Sequence, residues 1–123
     1  MKTVLIVDDS EFMRTLIKTH ISELDVTVVG EAEDGKDAVE KYKELSPDIV
    51  TLDLAMQPHG GIEALKEIKE HNPEAKVVIV SSTGEQDPVV DKANNLGAYA
   101  ILNKPISKEH LLFVMNKLLN EMG

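Results

Sequence analysis

Five short apolar runs, each followed by a stretch of helical periodicity, constrain this chain more than any other feature. The runs are Thr3–Val7, Val26–Val29, Ile49–Leu52, Val77–Val80 and Tyr99–Leu102. Continuous apolar runs of this length read as strands buried on both faces, the habit of parallel sheets. Parallel neighbours need crossovers of helix length, and the intervening stretches supply them. Behind Ser10, a good cap, Met13, Leu16, Ile17, Ile21 and Leu24 fall at steps of three or four. Asp34-Gly35 opens a second helix with a stripe of Ala38, Val39, Tyr42 and Leu45, broken by Ser46-Pro47. Ile62, Leu65 and Ile68 make a third stripe that stops near Asn72-Pro73. Asp87 caps a fourth helix with Pro88 in its first turn, burying Val89, Val90, Ala93 and Leu96 before Gly97. Ser107 caps the last, with Leu111, Val114, Met115, Leu118 and Met122 inward. The order predicts an α/β fold, a five-stranded parallel sheet with helices on both faces. Gly30 is expected to close the second strand, and residues 54–61 read as a loop.

In such a sheet every strand's carboxyl end lies on one edge, where ligands bind. The first strand ends on Asp8 and Asp9, the third on Asp53, the fourth on Ser81 and Ser82, and the fifth on Lys104. The second offers Gly30 and Glu31 and is left out of the site. Three convergent carboxylates repel unless a cation intervenes. A hard divalent ion takes oxygen ligands, so Asp8, Asp9 and Asp53 point to Mg²⁺, with a loop carbonyl such as that of Ala55 beside them. Lysine and serine there suit phosphate oxygens. A carboxylate can itself be the nucleophile and carry the phosphoryl group. Each residue also has a plain structural use, as helix cap, turn residue or exposed lysine. The acids, hydroxyls and lysine after successive strands argue for the site together. His20, His59, His71 and His110 are scattered and show no zinc spacing.

Composition narrows the setting. The chain has 123 residues, 42% hydrophobic and 28% charged, enough for one domain with a core. There is no cysteine, which removes disulfides and thiolate metal sites. A net charge of -9 argues against nucleic-acid and anionic-membrane partners. No apolar run approaches membrane-spanning length, and Met1-Lys2-Thr3-Val4 lacks a signal-peptide layout. A cytoplasmic location is expected.

The residues from Val4 to Arg14, the run Pro47-Asp48-Ile49-Val50-Thr51-Leu52-Asp53 and the pair Lys104-Pro105 carry a resemblance over essentially the whole chain. The chain resembles the receiver domain of two-component response regulators, and its opening is most similar to the stand-alone chemotaxis receivers of the CheY type and to the receiver part of the chemotaxis methylesterase. The resemblance implies a flavodoxin-like, doubly wound (βα)5 fold with strand order 2-1-3-4-5 and one receiver domain over 1–123 without an output domain. It implies Asp53 as phosphoacceptor, Mg²⁺ held by Asp8, Asp9, Asp53 and the Ala55 carbonyl, and Lys104 on the phosphoryl group. It implies a switch hydroxyl at Ser82 by spacing to Gly97 and Lys104, or at Ser81 by spacing from the third strand. The Lys104-Pro105 bond is usually cis in that family. A CheA-like histidine kinase is the implied donor. The implied output is a partner on the face of the fourth helix, fifth strand and fifth helix, with the flagellar motor switch first and the chain a monomer. Such a domain is a signalling phosphoacceptor with self-catalysed transfer and dephosphorylation rather than a turnover enzyme.

Two departures stand out. Gln57-Pro58 sets proline one place late, and Gly60 holds a place the family usually gives to Asp or Asn. Ile101 stands where an aromatic switch residue often lies, with Tyr99 nearby and expected to face the same way. Rival readings are a phosphorelay intermediate, a haloacid-dehalogenase-type phosphatase and a flavodoxin. The phosphatase needs an acid where Ala55 stands. The flavodoxin needs a Ser, Thr and Gly loop where Asp8 and Asp9 stand.

Overall fold

The computed structural model describes residues 1–56, 60–82, 84 and 86–123. Each apolar run becomes a strand and each periodic stretch a helix. In order they are β1 (Lys2–Val7), α1 (Glu11–Ile21), β2 (Val26–Ala32), α2 (Gly35–Leu45), β3 (Ile49–Leu52), α3 (Gly61–His71), β4 (Lys76–Ser81), α4 (Pro88–Asn95), β5 (Ala100–Asn103) and α5 (Lys108–Glu121). The sheet is parallel with order β2-β1-β3-β4-β5, the flavodoxin-like doubly wound arrangement. Ser10, Asp34, Asp87 and Ser107 cap their helices, accepting from the N–H groups of Met13, Asp37, Val89 and His110. Each such cap stabilises its helix by ~1 kcal/mol. Among the described residues no helix is long and apolar enough to cross a membrane.

Strand alternation sorts the core into two layers. Leu5, Val7, Val50, Leu52, Val77 and Ile79 pack against Ala38, Tyr42, Leu65, Ile68 and Ala93, so α2, α3 and α4 share one face. Val4, Ile6, Ile49, Val78, Val80 and Leu102 pack against Ile17, Ile21, Leu111, Met115 and Leu118, so α1 and α5 share the other. Each fully buried Leu or Ile contributes roughly 1.5–3 kcal/mol. Both layers therefore hold the central strands in fixed register. Val7 pairs with Leu52, and Leu52 with Ile79. The residues that follow, Asp8 and Asp53, leave the sheet side by side.

Two expectations about local structure need correction. Gly30 does not close the second strand; β2 runs on to Ala32, and its register against β1 shifts by one residue between Val4 and Leu5. A Cβ on Gly30 would lie 2.8 Å from Leu45 Cδ1, so the glycine makes room for α2. Tyr99 does not face with Ile101. It precedes β5, packs in the α1–α5 layer and donates its hydroxyl to Glu121 Oε2 at 2.6 Å, whereas Ile101 packs in the other layer. That hydrogen bond pushes the Tyr99 phenol up to about 12.

Candidate functional site

The ends of β1 and β3 set the acids. Asp8, Asp9 and Asp53 each place one carboxylate oxygen so that all three lie within 4.8 Å of one another. Asp8 and Asp53 are buried, and Asp9 is exposed. The backbone continues the sheet into the site, with Asp8 N–H donating to the Ala32 carbonyl at 3.0 Å and Asp53 N–H to Val7 at 3.1 Å. Asp8 Oδ1 accepts the Ser10 N–H at 2.9 Å, and Asp53 Oδ1 accepts the Ala55 N–H at 3.1 Å.

Lys104, brought in by β5, donates from Nζ to Asp8 Oδ2 at 2.9 Å and reaches Asp53 Oδ2 at 3.4 Å. Its own peptide N–H donates to the Ser81 carbonyl at 2.9 Å, and the following bond to Pro105 is cis. Burial pushes the Asp53 carboxyl above its ordinary range; the Ala55 N–H and Lys104 oppose this, and the charge of Asp8 adds to it. For Lys104 burial acts downward, yet the hydrogen bond to Asp8 and the charges of Asp53 and Asp8 carry it above its ordinary value. The ammonium thus stays charged among the acids.

One ammonium, bonded to two of the three carboxylates, leaves the cluster net negative and favours a further cation. The donors are all oxygen, and one side is open at Asp9. This set fits Mg²⁺, which binds through one or two carboxylates with waters and phosphate. Ala55 is exposed in a bend two residues beyond Asp53.

Gly61 lets the start of α3 approach the Asp53 backbone. A Cβ there would sit 2.2 Å from the Asp53 carbonyl oxygen and 2.5 Å from Leu54 Cα. The start of α3 therefore rests directly on the Asp53 backbone, with Gly61 N–H donating to Leu54 at 3.2 Å. The displaced proline of the sequence reading, with Gln57 and His59, lies outside the described residues.

The two serines occupy different places. Ser81 is the last residue of β4, is buried, and pairs with Asn103 beside Lys104. Ser82, the residue favoured by downstream spacing, is exposed just past the strand. Among the described residues no histidine joins the acids. His71 instead ends α3, edge-on to the Tyr42 ring at 6.1 Å.

Sequence reasoning passed over Glu31 and gave no role to Arg14. Arg14 on α1 donates from Nη1 to the Asp8 carbonyl at 2.6 Å and from Nε to Glu31 Oε1 at 2.9 Å. Lys18, one turn on, meets the other Glu31 oxygen at 2.7 Å. The only sequence signal was an arginine one turn into a helix that begins at an acid pair, which is weak on its own.

Known proteins share this architecture. The model of the response regulator receiver domain family matches residues 4–116. The chain is 45% identical over 116 residues to the chemotaxis protein CheY of Thermotoga maritima, covering 94% of this chain and 96% of that one. It is 46% identical over 117 residues to CheY of Bacillus subtilis, covering 95% and 97%. Its structure is similar to the crystal structure of the CheX-CheY-BeF3-Mg²⁺ complex of Borrelia burgdorferi, with a TM-score of 0.90 and 32% identity over 96% of this chain and 89% of that chain.

Proposed function

The chain belongs to the response regulator receiver family, and on that premise we propose that it is a single-domain chemotaxis regulator that takes a phosphoryl group onto Asp53 from a CheA-like histidine kinase. The observation that carries this is the buried Asp53 carboxylate, clustered with Asp8 and Asp9 and facing Lys104. The single-domain reading draws on the CheY relatives, which the chain spans almost entirely.

An Asp53 carboxylate oxygen attacks phosphorus, the phosphohistidine N–P bond breaks, and the imidazole leaves with the bonding pair and takes up a proton. Mg²⁺, held by Asp8, Asp9, Asp53 and the Ala55 carbonyl, would supply positive charge against the phosphoryl oxygens. Lys104 shifts from Asp8 toward the new phosphoryl group as a mobile point charge. Of the two serines we assign the switch hydroxyl to Ser81, because it is the one buried on the strand end next to Lys104. Its engagement biases a two-state equilibrium at α4, β5 and α5, and that face meets a separate partner, the flagellar motor switch first. The domain acts in the cytoplasm as a monomer.

The test is intact mass after incubation with acetyl phosphate, with Mg²⁺ and with chelator. A labile gain of one phosphoryl group in wild type, dependent on Mg²⁺ and absent in Asp53→Asn, is the expected result. Equal uptake in Asp53→Asn would sink the assignment.

A further inference from the structure

The acid pair at the end of β1 is joined by one peptide plane, and Arg14 grips it. The Asp8 carbonyl belongs to the rigid unit that continues into the Asp9 nitrogen. Arg14 Nη1 holds that carbonyl at 2.6 Å while Nε is anchored on Glu31 at 2.9 Å. The Asp8 N–H is fixed from the other side by Ala32. Both ends of residue 8 are therefore tied to β2, one by backbone and one through the Arg14–Glu31 pair. The orientation of this plane sets where the Asp8 and Asp9 side chains leave the chain.

The chemistry of the pair suits this use. The Arg14 side chain is 13% exposed, so its ion pair is less screened than a surface one. A planar guanidinium reaches two acceptors in a fixed fork, which an ammonium does not. Glu31 is itself steadied by Lys18 through its second oxygen. Hydrogen bonds from Lys18 and Arg14 hold the Glu31 carboxyl below its ordinary range although burial opposes them. The anchor therefore stays ionised at neutral pH.

We infer that Arg14, anchored by Glu31, is a positioning residue that sets the geometry of the Asp8–Asp9 metal site without touching the ion. This rests on the reading of Asp8, Asp9 and Asp53 as a Mg²⁺ site. Partners one step removed from a metal commonly change affinity by about 10–100-fold when removed.

Positioning and simple charge make opposite predictions here. Arg14→Met removes a cation beside three carboxylates, which by charge alone tightens Mg²⁺ binding. A lost brace weakens it. Arg14→Lys keeps the charge and loses the fork. The experiment is Mg²⁺ titration by calorimetry on the unphosphorylated wild type, Arg14→Met and Arg14→Lys, with thermal unfolding to establish that each is folded. Weakening of about tenfold or more in both variants is expected. Unchanged affinity with a lowered melting temperature overturns the inference and leaves Arg14 as a structural tie only. Tighter binding in Arg14→Met with Arg14→Lys unchanged overturns it in favour of charge. If Arg14→Met does not fold, Arg14→Lys decides alone. A wild-type chain that binds no Mg²⁺ removes the metal-site reading, and the inference with it; wild-type binding that the variants share removes only the inference.

Discussion

At the β1–α1 corner Asp8 is held at four points, by Ala32, Ser10, Arg14 and Lys104. At the β4–α4 corner the support is thinner. Helix α4 has eight residues, of which Ala93 is the fully buried one and Val89 and Val90 are half-buried, with Leu96 half-buried at its C-cap. Helix α1 buries both Ile17 and Ile21, and α5 buries Leu111, Val114, Met115 and Leu118. The acids thus sit on the firmly fastened side of the edge, and the helix expected to respond sits on the side with little burial to lose. Under the proposed function, the task of holding the charge cluster still and the task of changing the surface fall to different parts of one sheet edge.

The acid-bearing part of the edge can be broken most directly at the β3–α3 corner, at Gly61. Gly61→Ala forces a methyl group onto the Asp53 and Leu54 backbone, where no flexible side chain can yield. A loss of about 3 kcal/mol and a melting temperature lowered by roughly 10 °C are expected by calorimetry. A small change would mean that the start of α3 moves freely and that the corner is less rigid than its contacts suggest.

Native-state hydrogen exchange sharpens the contrast next. The α4 amides should exchange about a hundredfold faster than those of α1 and α5, opening ~2.7 kcal/mol more easily. Equal protection would erase the proposed division.

The smallest effect concerns Asp53 alone. Burial raises its folded carboxyl above the ordinary range. Folding therefore favours the protonated acid, and that contribution is lost as pH rises through the folded value. Asp53→Asn should melt higher than wild type at pH 7 without Mg²⁺, by a few degrees, the scale of about 1 kcal/mol. The gain should vanish as pH falls below the ordinary carboxylate range. A lower melting temperature for the variant would show that Lys104 and the Ala55 N–H more than offset the burial of the charge.

The sheet and most of the site were legible because parallel strands place their ends together. Asp8, Asp9, Asp53 and Lys104 each follow an unmistakable apolar run, and the register brings them to one place. The choice between Ser81 and Ser82 was not legible, since the counts from the two sides run through different connections and disagree by one residue. The structure places them differently, Ser81 buried and Ser82 exposed, and the proposed assignment draws on that. Tyr99 was misplaced because alternation was extended one residue beyond the strand that imposes it. Glu31 was missed because Gly30 reads as a stop, whereas the chain uses it to let Leu45 approach.

The register shift in β2 also has a consequence for insertions and deletions. Val28 pairs with Val4, Gly30 with Leu5 and Glu31 with Ile6, so Val29 is one residue more than the ladder needs. Ile6 faces α1, and Glu31 therefore does too. Were Val29 instead paired in a regular ladder, Glu31 would fall opposite Val7 and turn toward α2, away from Arg14. The surplus residue acts as a phase shifter: a descendant chain that trimmed it would keep Glu31 opposite Ile6, whereas one that drew it into the ladder would keep every amino acid of the site while dissolving the tie between its first helix and its second strand.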